Sequence, residues 1–150
     1  MKNVVISKDK RDINLKRLIK YITRESYWGR KMTGELIAKS IENSVCYSVL
    51  LNNEFIGFAR VITDFSTFNY LCDVFILPDF QGKGFGEKLL QFIMDDPEIK
   101  DGGYLLLTRD AHKLYHKFGF LPSSNNKELI NKLMYIKDKR KEWLSEDENN

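Results

Sequence analysis

Residues 70–90 of the chain read YLCDVFILPDFQGKGFGEKLL, and this stretch decides the fold. Its first half is a run of apolar, aromatic and β-branched residues, a pattern typical of a buried strand. Pro78 cannot donate a hydrogen bond to a neighbouring strand and therefore predicts the end of this one. Three glycines at alternate positions follow, Gly82, Gly84 and Gly86, and a helical apolar pattern begins directly after them.

A strand, a glycine-rich turn and a helix N-terminus together predict an anion-binding site. Glycine has no Cβ atom, so its backbone can approach an anion closely, and unpaired N–H groups at the positive end of the helix dipole attract negative charge. Lys83 adds a full positive charge within the turn. A helix terminus contributes only about 0.3–1 kcal/mol per charge near the surface, so several N–H groups must act together.

The glycine spacing narrows the choice of anion. A P-loop requires Ser or Thr after its lysine, whereas Gly84 follows Lys83 here, and the dinucleotide fingerprint requires G-x-G-x-x-G rather than G-x-G-x-G. Residues 81–86, QGKGFG, match Q/R-x-x-G-x-G/A and closely resemble the pyrophosphate-binding motif of the GNAT superfamily of acyl-CoA-dependent N-acyltransferases. On these six residues alone, glycines that only permit a tight strand-to-helix turn remain an alternative.

A second segment strengthens the resemblance. Residues 108–120, TRDAHKLYHKFGF, are similar to the second GNAT signature, N-x-x-A-x-x-L-Y-x-K-x-G-F, and they follow the glycine turn by one predicted strand. Thr108 stands where many members carry Asn, and Thr has a shorter reach toward the pantetheine arm of coenzyme A. Because the two motifs and the matching element order cover nearly the whole chain, the sequence is identified as a member of the GNAT superfamily.

Length and composition are those of a folded domain, which we expect to span residues 1–150. Hydrophobic residues make up 43% of the chain and aromatic residues 13%, enough for a sizeable core. We expect no membrane span, because no apolar run reaches the roughly 18 residues that one needs. Cys46 and Cys72 lie in apolar strand contexts and suggest reduced thiols and a cytoplasmic location. The net charge of +3 is spread along the chain, so a nucleic-acid partner is not expected.

The remaining pattern predicts the order β-α-α-β-β-β-α-β-α-β, an α/β (α+β) fold with a central mixed sheet flanked by helices. Strands are predicted at residues 4–6, 45–51, 54–63, 70–77, 104–108 and 132–136, and helices at 11–23, after 33, after the glycine turn to about 95, and after 110. Asn52 and Asn53 predict a hairpin turn, and Thr33 and Asp110 predict helix N-caps. The charged tail after Lys139 is expected to fray.

The resemblance implies direct transfer of an acetyl group from acetyl-CoA to an amine, with no acyl-enzyme. The amine must lose a proton, the thioester oxygen must be stabilised, and the departing thiolate must be protonated. The N–H groups of Phe75, Ile76 and Leu77 are expected to stabilise the oxygen and to pair with the pantetheine amides like an added strand. The other residues expected to bind the cofactor are Gln81, Gly82, Lys83, Gly84, Phe85, Gly86 and Thr108.

Two residues are candidates for proton transfer. Tyr115 is predicted to protonate the thiolate, since a thiolate of pKa about 8.5 can draw a proton from a positioned phenol of pKa about 10; a core aromatic is the alternative. Asp73 is expected to share an apolar face of the central strand with Leu71 and Phe75, where burial would raise its pKa for service as a general base. For Asp73 the alternative is an ion pair with a cation such as Arg60.

Residues that bind the acceptor are expected between the first two helices, which border the acceptor pocket in GNAT folds. Tyr27 and Trp28 lie in this connection and are predicted to be aromatic walls for a cationic amine, or else edge packing. Asp64, at the end of a predicted strand, is a second candidate for base or amine anchor. His112 and His116 stand four residues apart without an obvious third ligand, so no metal site is predicted.

The sequence leaves the acceptor itself open. The leading hypothesis is an N-acetyltransferase that acts on a small-molecule primary amine. The alternatives are acetylation of a protein or aminoacyl-tRNA amine, and a non-catalytic module that senses coenzyme A. A homodimer is also left open, because nothing in the sequence determines the oligomeric state.

Overall fold

The fold is known from a computed structural model that describes residues 3–138, so the tail predicted to fray lies outside the described residues. Five strands form one sheet in the order β1-β2-β3-β4-β5, antiparallel except for the parallel pair β4–β5. The strands are β1 (Val4–Ser7), β2 (Val45–Leu51), β3 (Glu54–Thr63), β4 (Phe68–Ile76) and β5 (Gly103–Leu106). A mixed sheet flanked by helices confirms the predicted fold class.

The helices of the described chain are α1 (Leu15–Lys20), α2 (Gly34–Glu42), α3 (Phe85–Met94), α4 (His112–His116) and α5 (Lys127–Lys132). A π-helical turn, Tyr21–Glu25, extends α1. The predicted cap of α2 is confirmed, because the Thr33 side chain accepts a hydrogen bond from the N–H of Leu36 at 3.2 Å. Within residues 3–138, no helix is long and apolar enough to cross a membrane.

The β2–β3 hairpin has the predicted bounds and the predicted turn. Asn52 and Asn53 connect the two strands with φ angles of +50° and +68°. Two consecutive left-handed residues give a turn whose twist matches that of the flanking strands, and Asn tolerates this conformation better than most residues. The hairpin therefore follows directly from local sequence.

Both faces of the sheet are covered by helices. On one face the buried residues are Tyr47, Val61, Leu71, Leu89, Leu90, Ile93 and Tyr115, with α3 and α4 packed on the strands. On the other face they are Leu18, Ile22, Ile37, Ile41, Phe55, Phe58 and Phe75, with α1 and α2 packed on the strands. The direction of each β4 side chain therefore decides which pair of helices it meets.

A β-bulge at Asp73 changes these directions, and the sequence did not predict it. Where β3 advances by two residues, over 58–60, β4 advances by three, over 72–75. Asp73 takes up the extra residue with φ of +52°, a left-handed conformation. As a result Leu71 packs with α3, whereas Phe75 packs with α1 on the opposite face. The expectation that Asp73 shares one face with both residues is wrong.

β4 and β5 are paired over only four residues. The pairs run from Phe68–Gly103 to Leu71–Leu106, and β4 continues to Ile76 after β5 has ended. Backbone N–H and C=O groups need hydrogen-bond partners unless water or a ligand serves them. The two strands thus part and leave a gap, with α3 beginning just beyond the end of β4.

The strand predicted at residues 132–136 is not formed. Lys132 ends α5, and residues 133–138 have no regular structure. The side chains of Met134 and Ile136 are 90% and 93% exposed. The apolar composition of this segment favoured a strand, but a strand also needs a neighbour to pair with.

Tyr47→Phe is expected to lower the free energy of unfolding by about 1–3 kcal/mol. The buried Tyr47 hydroxyl donates to the Asp96 carboxylate at 2.7 Å, and Lys8 pairs with the same carboxylate at 2.8 Å. Without the hydroxyl, a buried carboxylate loses one donor. Urea denaturation measures the loss. The control is Tyr104→Phe, whose hydroxyl makes a long 3.4 Å contact with the Ile99 carbonyl, and equal losses in the two variants would contradict the assignment.

Candidate functional site

The predicted anion-binding turn lies at the N-terminus of α3. Gly84 is the N-cap with φ of +85°, and Gly82 has φ of +73°. The first backbone bond of the helix runs from the Lys88 N–H to the Gly84 carbonyl, so the N–H groups of residues 85–87 have no partner within the helix. A Cβ atom added at Gly82 or Gly84 would meet no atom within 4 Å. The turn therefore presents backbone donors to open space beside Lys83.

Two side chains of this turn already have contacts within the protein. Gln81 Nε2 donates to the Ile76 carbonyl at 2.8 Å and so ties the turn to the end of β4. Lys83 Nζ lies 3.4 Å from the Asp79 carbonyl and 5.8 Å from the centre of the Phe80 ring. Because an ammonium has three donors, the exposed Lys83 side chain can still donate a hydrogen bond to an anion. The Gln81 side chain instead holds the turn against the end of β4.

The end of β4 offers one of the three expected backbone donors to the gap. The Leu77 N–H donates to the Ile56 carbonyl at 2.8 Å and so points toward β3. Since peptide groups alternate in direction along a strand, the Phe75 N–H also points toward β3, and the Ile76 N–H points toward the side that β5 has left. Of the N–H groups of Phe75, Ile76 and Leu77, all expected to serve the cofactor, only that of Ile76 points toward the gap.

α4 lies on the other side of the gap. Gly86 of α3 is positioned between β4 and α4, because a Cβ atom added there would lie 3.9 Å from the Ile76 side chain and 4.0 Å from that of Leu114. The next residue, Tyr115, is buried and packs edge-on against Phe120, with ring centroids 5.8 Å apart. Its hydroxyl makes no hydrogen bond with any residue in the range 3–138. A phenol without a protein partner thus lies near the end of β4.

The environment of Tyr115 keeps its phenol protonated. Burial raises the pKa of Tyr115 to about 12, and the nearby Tyr27 and Asp110 act in the same direction. A pKa raised above the working pH leaves the proton on the oxygen. Tyr115 therefore meets a reacting group as a protonated hydrogen-bond donor and not as a phenolate base.

Asp73 is held in an ion pair, which the sequence left open as the alternative to a general base. Arg60 Nε donates to one carboxylate oxygen at 2.8 Å, and Trp28 Nε1 donates to the other at 3.1 Å. The side chains of Arg60 and Asp73 are 6% and 11% exposed, and Arg60 also donates to Ser44 Oγ at 3.0 Å. With a donor on each oxygen, the carboxylate ties Trp28 to the bulge of β4.

Tyr27 connects the segment between α1 and α2 to the segment before α4. The Arg109 N–H donates to the Tyr27 hydroxyl at 3.2 Å, and the Arg109 guanidinium lies 3.8 Å from the centre of the Tyr27 ring. Trp28 stands edge-on to Tyr27, with centroids 5.1 Å apart. The structure thus brings Tyr27, Trp28 and Asp73 together although they are distant in sequence, and Tyr27 is near enough to Tyr115 to raise the pKa of its phenol.

The structure does not bring Asp64 to this cluster. Asp64 lies in the β3–β4 turn, where its carboxylate accepts hydrogen bonds from the backbone of Ser66, Thr67 and Phe68 and from the Thr67 hydroxyl. These bonds, above all that from the Thr67 side chain, lower the pKa of Asp64. The turn precedes the first β4–β5 pair, whereas Tyr115 follows the last one. Asp64 organises its own loop.

Thr108, rather than Asp110, caps the turn before α4. The N-cap residue is Ala111, and its N–H donates to Thr108 Oγ1 at 3.0 Å. The prediction that Asp110 caps this helix is therefore wrong. The Thr108 hydroxyl hydrogen remains available as a donor to a ligand, since a hydroxyl both accepts and donates.

Arg109 and Asp110 are exposed residues of the site that the sequence reasoning missed as functional candidates. Asp110 influences the pKa values of both Tyr21 and Tyr115, so it lies near the end of α1 as well as near α4. The available signal was their position at the two variable places of the second signature, between Thr108 and Ala111. Nothing in the sequence indicated that Tyr27 reaches them.

Comparisons with known proteins identify the family. The family model described as an acetyltransferase (GNAT) domain matches residues 42–122, just over half of the chain. A crystal structure from Xanthomonas campestris pv. campestris, assigned to the GNAT family, is 29% identical, with a TM-score of 0.85 over 92% of this chain and 95% of that one. The chain therefore belongs to the GNAT acetyltransferase family.

Two further proteins are similar to this chain, one in structure and one in sequence. A GNAT acetyltransferase from Elizabethkingia anophelis with acetyl-CoA bound is 19% identical, with a TM-score of 0.60 over 83% of this chain and 85% of that one. A Gibberella zeae protein, provisionally named an acetyltransferase, is 27% identical over 113 residues. That match covers 61% of this chain and 63% of the relative, so the chain spans less than two thirds of its length.

Asp73→Asn is expected to lower the free energy of unfolding by about 3 kcal/mol, because it leaves the buried Arg60 charge unpaired. Asn tolerates positive φ, so backbone strain does not add to the loss. Chemical denaturation measures it. The matched control, Asp101→Asn, changes an exposed carboxylate that makes no hydrogen bond or ion pair with residues 3–138 and should alter stability little. An Asp73→Asn protein as stable as the parent would contradict a structural role for the ion pair.

Proposed function

We propose that this chain transfers an acetyl group from acetyl-CoA directly to a primary amine of a small molecule. The observation that carries the proposal is the parting of β4 and β5 in front of α3. This gap has the backbone of Ile76 on one side and the buried phenol of Tyr115 close by. It has backbone donors for an anion at one end and aromatic side chains at the other.

The residues around the gap fit coenzyme A. The N–H groups of residues 85–87 and the Lys83 ammonium would hold the diphosphate, and the open space at Gly82 and Gly84 admits it. The Ile76 N–H and the Thr108 hydroxyl would serve the amides of the pantetheine arm. When bound, acetyl-CoA supplies the acetyl thioester on which the transfer depends.

Tyr115 would give its proton to the sulfur as the carbon–sulfur bond breaks. Its raised pKa keeps the phenol protonated and able to donate a hydrogen bond to the sulfur as negative charge develops there. A thiolate of reference pKa about 8.5 is a weaker base than this phenolate, so the proton that Tyr115 gives must be replaced from water. Without a hydrogen-bond partner among the described residues, and at a side chain that is 9% exposed, the hydroxyl can be directed at a ligand without breaking a contact. This is what a general acid for the leaving group requires.

Asp73 is proposed to position the site rather than to abstract a proton. Its two oxygens are engaged by Arg60 and Trp28, so the carboxylate holds the bulge and the tryptophan in one arrangement. The bulge is where β4 changes the faces of its side chains and β5 departs. The amine would then lose its proton to water or to another side chain on the acceptor side of the site.

The alternatives have less support. A module that only senses coenzyme A would have no use for a buried, protonated phenol without a partner. Acetylation of a protein or aminoacyl-tRNA amine stays an alternative acceptor class within the same chemistry. We further propose that residues 1–150 form one domain. We also propose that the acceptor is a small molecule, because Tyr27, Trp28 and Arg109 contact one another beside the site.

Tyr115→Phe is expected to lower kcat about 100-fold or more while KM for acetyl-CoA changes little, because general acid catalysis contributes roughly 10²–10⁴-fold. Release of coenzyme A thiol during steady-state turnover measures both constants. Tyr104→Phe is the matched control, since Tyr104 also packs edge-on against Phe120, at 5.9 Å, and it should retain full activity. Unchanged turnover in Tyr115→Phe would remove this residue as the acid.

Gly84→Ala is expected to weaken coenzyme A binding about tenfold. A side chain at φ of +85° costs about 1–2 kcal/mol, and relaxation of that strain would move the N–H groups away from the diphosphate. Gly119→Ala is the control, because Gly119 has φ of +90° with equally open surroundings but ends α4 instead of beginning α3. Calorimetric titration distinguishes them. Equal affinity of both variants for coenzyme A would overturn the assignment of the turn.

A further inference from the structure

We propose that the acceptor is an amine that also carries a carboxylate, and that Arg109 binds this carboxylate. The inference rests on the proposed function and deepens it by naming the acceptor class. It starts from the contact between Arg109 and Tyr27, which joins residues 82 positions apart at the acceptor side of the site. Neither residue is needed to hold the sheet together, since both lie in connecting segments.

The first step concerns the face of the Tyr27 ring. The Arg109 guanidinium lies 3.8 Å from the ring centre, so it occupies the position that a cationic amine would take on that face. Tyr27 is therefore not a wall for a positively charged acceptor on this side. Instead the ring holds a cation of the protein itself in place.

The second step concerns the orientation of the guanidinium. A guanidinium held over a ring face by a cation–π contact keeps its N–H donors for a ligand, and their fork matches a carboxylate. The N–H of the Arg109 main chain donates to the Tyr27 hydroxyl at 3.2 Å, which fixes the segment as well as the side chain. The donors are thus ordered before a ligand arrives, and less side-chain entropy is lost on binding.

The third step concerns charge. Within residues 3–138, Arg109 has no carboxylate within 4.0 Å. Two other acids, Asp73 and Glu25, are paired with Arg60 and Arg17, so of these two and Asp110 only Asp110 is left without an ion pair among the described residues. Arg109 is also exposed, so a ligand can reach it. An ordered cation without a counterion at a substrate entrance favours an anionic substrate group.

Asp110 supplies the complementary charge. It follows Arg109 directly, is exposed, and makes no ion pair with the described residues. Arg109 and Asp110 are adjacent in the chain and both are exposed, so a small molecule with an ammonium and a carboxylate would be able to contact both. Asp110 would hold the ammonium near Tyr115 until it loses a proton to water.

The reaction balances on this assignment. The neutral amine nitrogen forms a bond to the acetyl carbon, the carbon–sulfur bond breaks, and Tyr115 gives its proton to the sulfur. The nitrogen loses a proton to water, from which Tyr115 is reprotonated. The products are an N-acetylated amino acid and free coenzyme A, and the carboxylate on Arg109 takes no part in the bond changes.

The test compares L-amino acids with their carboxamides as acceptors, measured by release of coenzyme A thiol. The carboxamide has the same shape as the amino acid but lacks the negative charge. Its amine is less basic, so a larger fraction of it is neutral and ready to react. A preference for the acid therefore reports binding of the carboxylate. We expect kcat/KM to be at least about tenfold higher for acids, as a charge-assisted bidentate contact allows. Arg109→Gln should abolish this preference and leave KM for acetyl-CoA unchanged.

Lys113→Gln is the matched control, since it removes the same charge from an exposed position four residues away and should keep the preference. The inference is overturned if amides are used as well as acids, if Arg109→Gln keeps the preference, or if it raises KM for acetyl-CoA instead. It is also overturned if coenzyme A binds and no amino acid is acetylated, in which case the proposed function survives with another acceptor. Failure to bind coenzyme A would defeat the proposed function itself.

Discussion

The hydrogen-bond pairing between β4 and β5 ends after four residues, and the rest of the site depends on this. Backbone donors and acceptors that lose a neighbouring strand must find other partners. Here one side of β4 keeps its partner, because Leu77 still donates to Ile56. The other side is satisfied in part by the Gln81 side chain at the Ile76 carbonyl. A ligand with amide groups of its own can complete the pairing, which is why the gap suits an extended cofactor.

The bulge and its ion pair maintain this geometry from the opposite face of the sheet. Asp73 is a left-handed residue within a strand, a conformation that surrounding structure must stabilise. Arg60 and Trp28 supply that stabilisation through the carboxylate. Burying two charges is costly, and their mutual hydrogen bonds offset the cost only when the geometry is good. Such a pair fixes one conformation of β4 and links it to the segment that bears Tyr27.

Local sequence was sufficient for much of the fold. The β2–β3 hairpin followed from Asn52 and Asn53, and the beginning of α3 followed from its glycines, because each depends on residues close in the chain. The bulge at Asp73 was not predictable, since its effect on side-chain direction arises from pairing with β3. The failed strand at residues 132–136 has the same cause, as composition cannot say whether a neighbour is present.

In the site, too, some features could be predicted from local sequence and others depend on contacts between distant residues. The glycine turn and Tyr115 could be proposed from motifs, whereas the direction of each N–H in β4 required the partner of Leu77 to be known. The contact between Tyr27 and Arg109 spans most of the chain and has no local signature. A candidate role for a residue at a variable motif position, such as Arg109, can therefore be recognised only from the folded structure.

Amide hydrogen exchange with and without coenzyme A tests the central claim most directly. If the gap and the helix terminus hold this cofactor, the amides of Ile76 and of residues 85–87 should exchange more slowly when it is bound, while the Leu77 amide, already bonded to Ile56, changes little. If coenzyme A binds and these amides exchange at unchanged rates, the cofactor lies elsewhere and the account is contradicted.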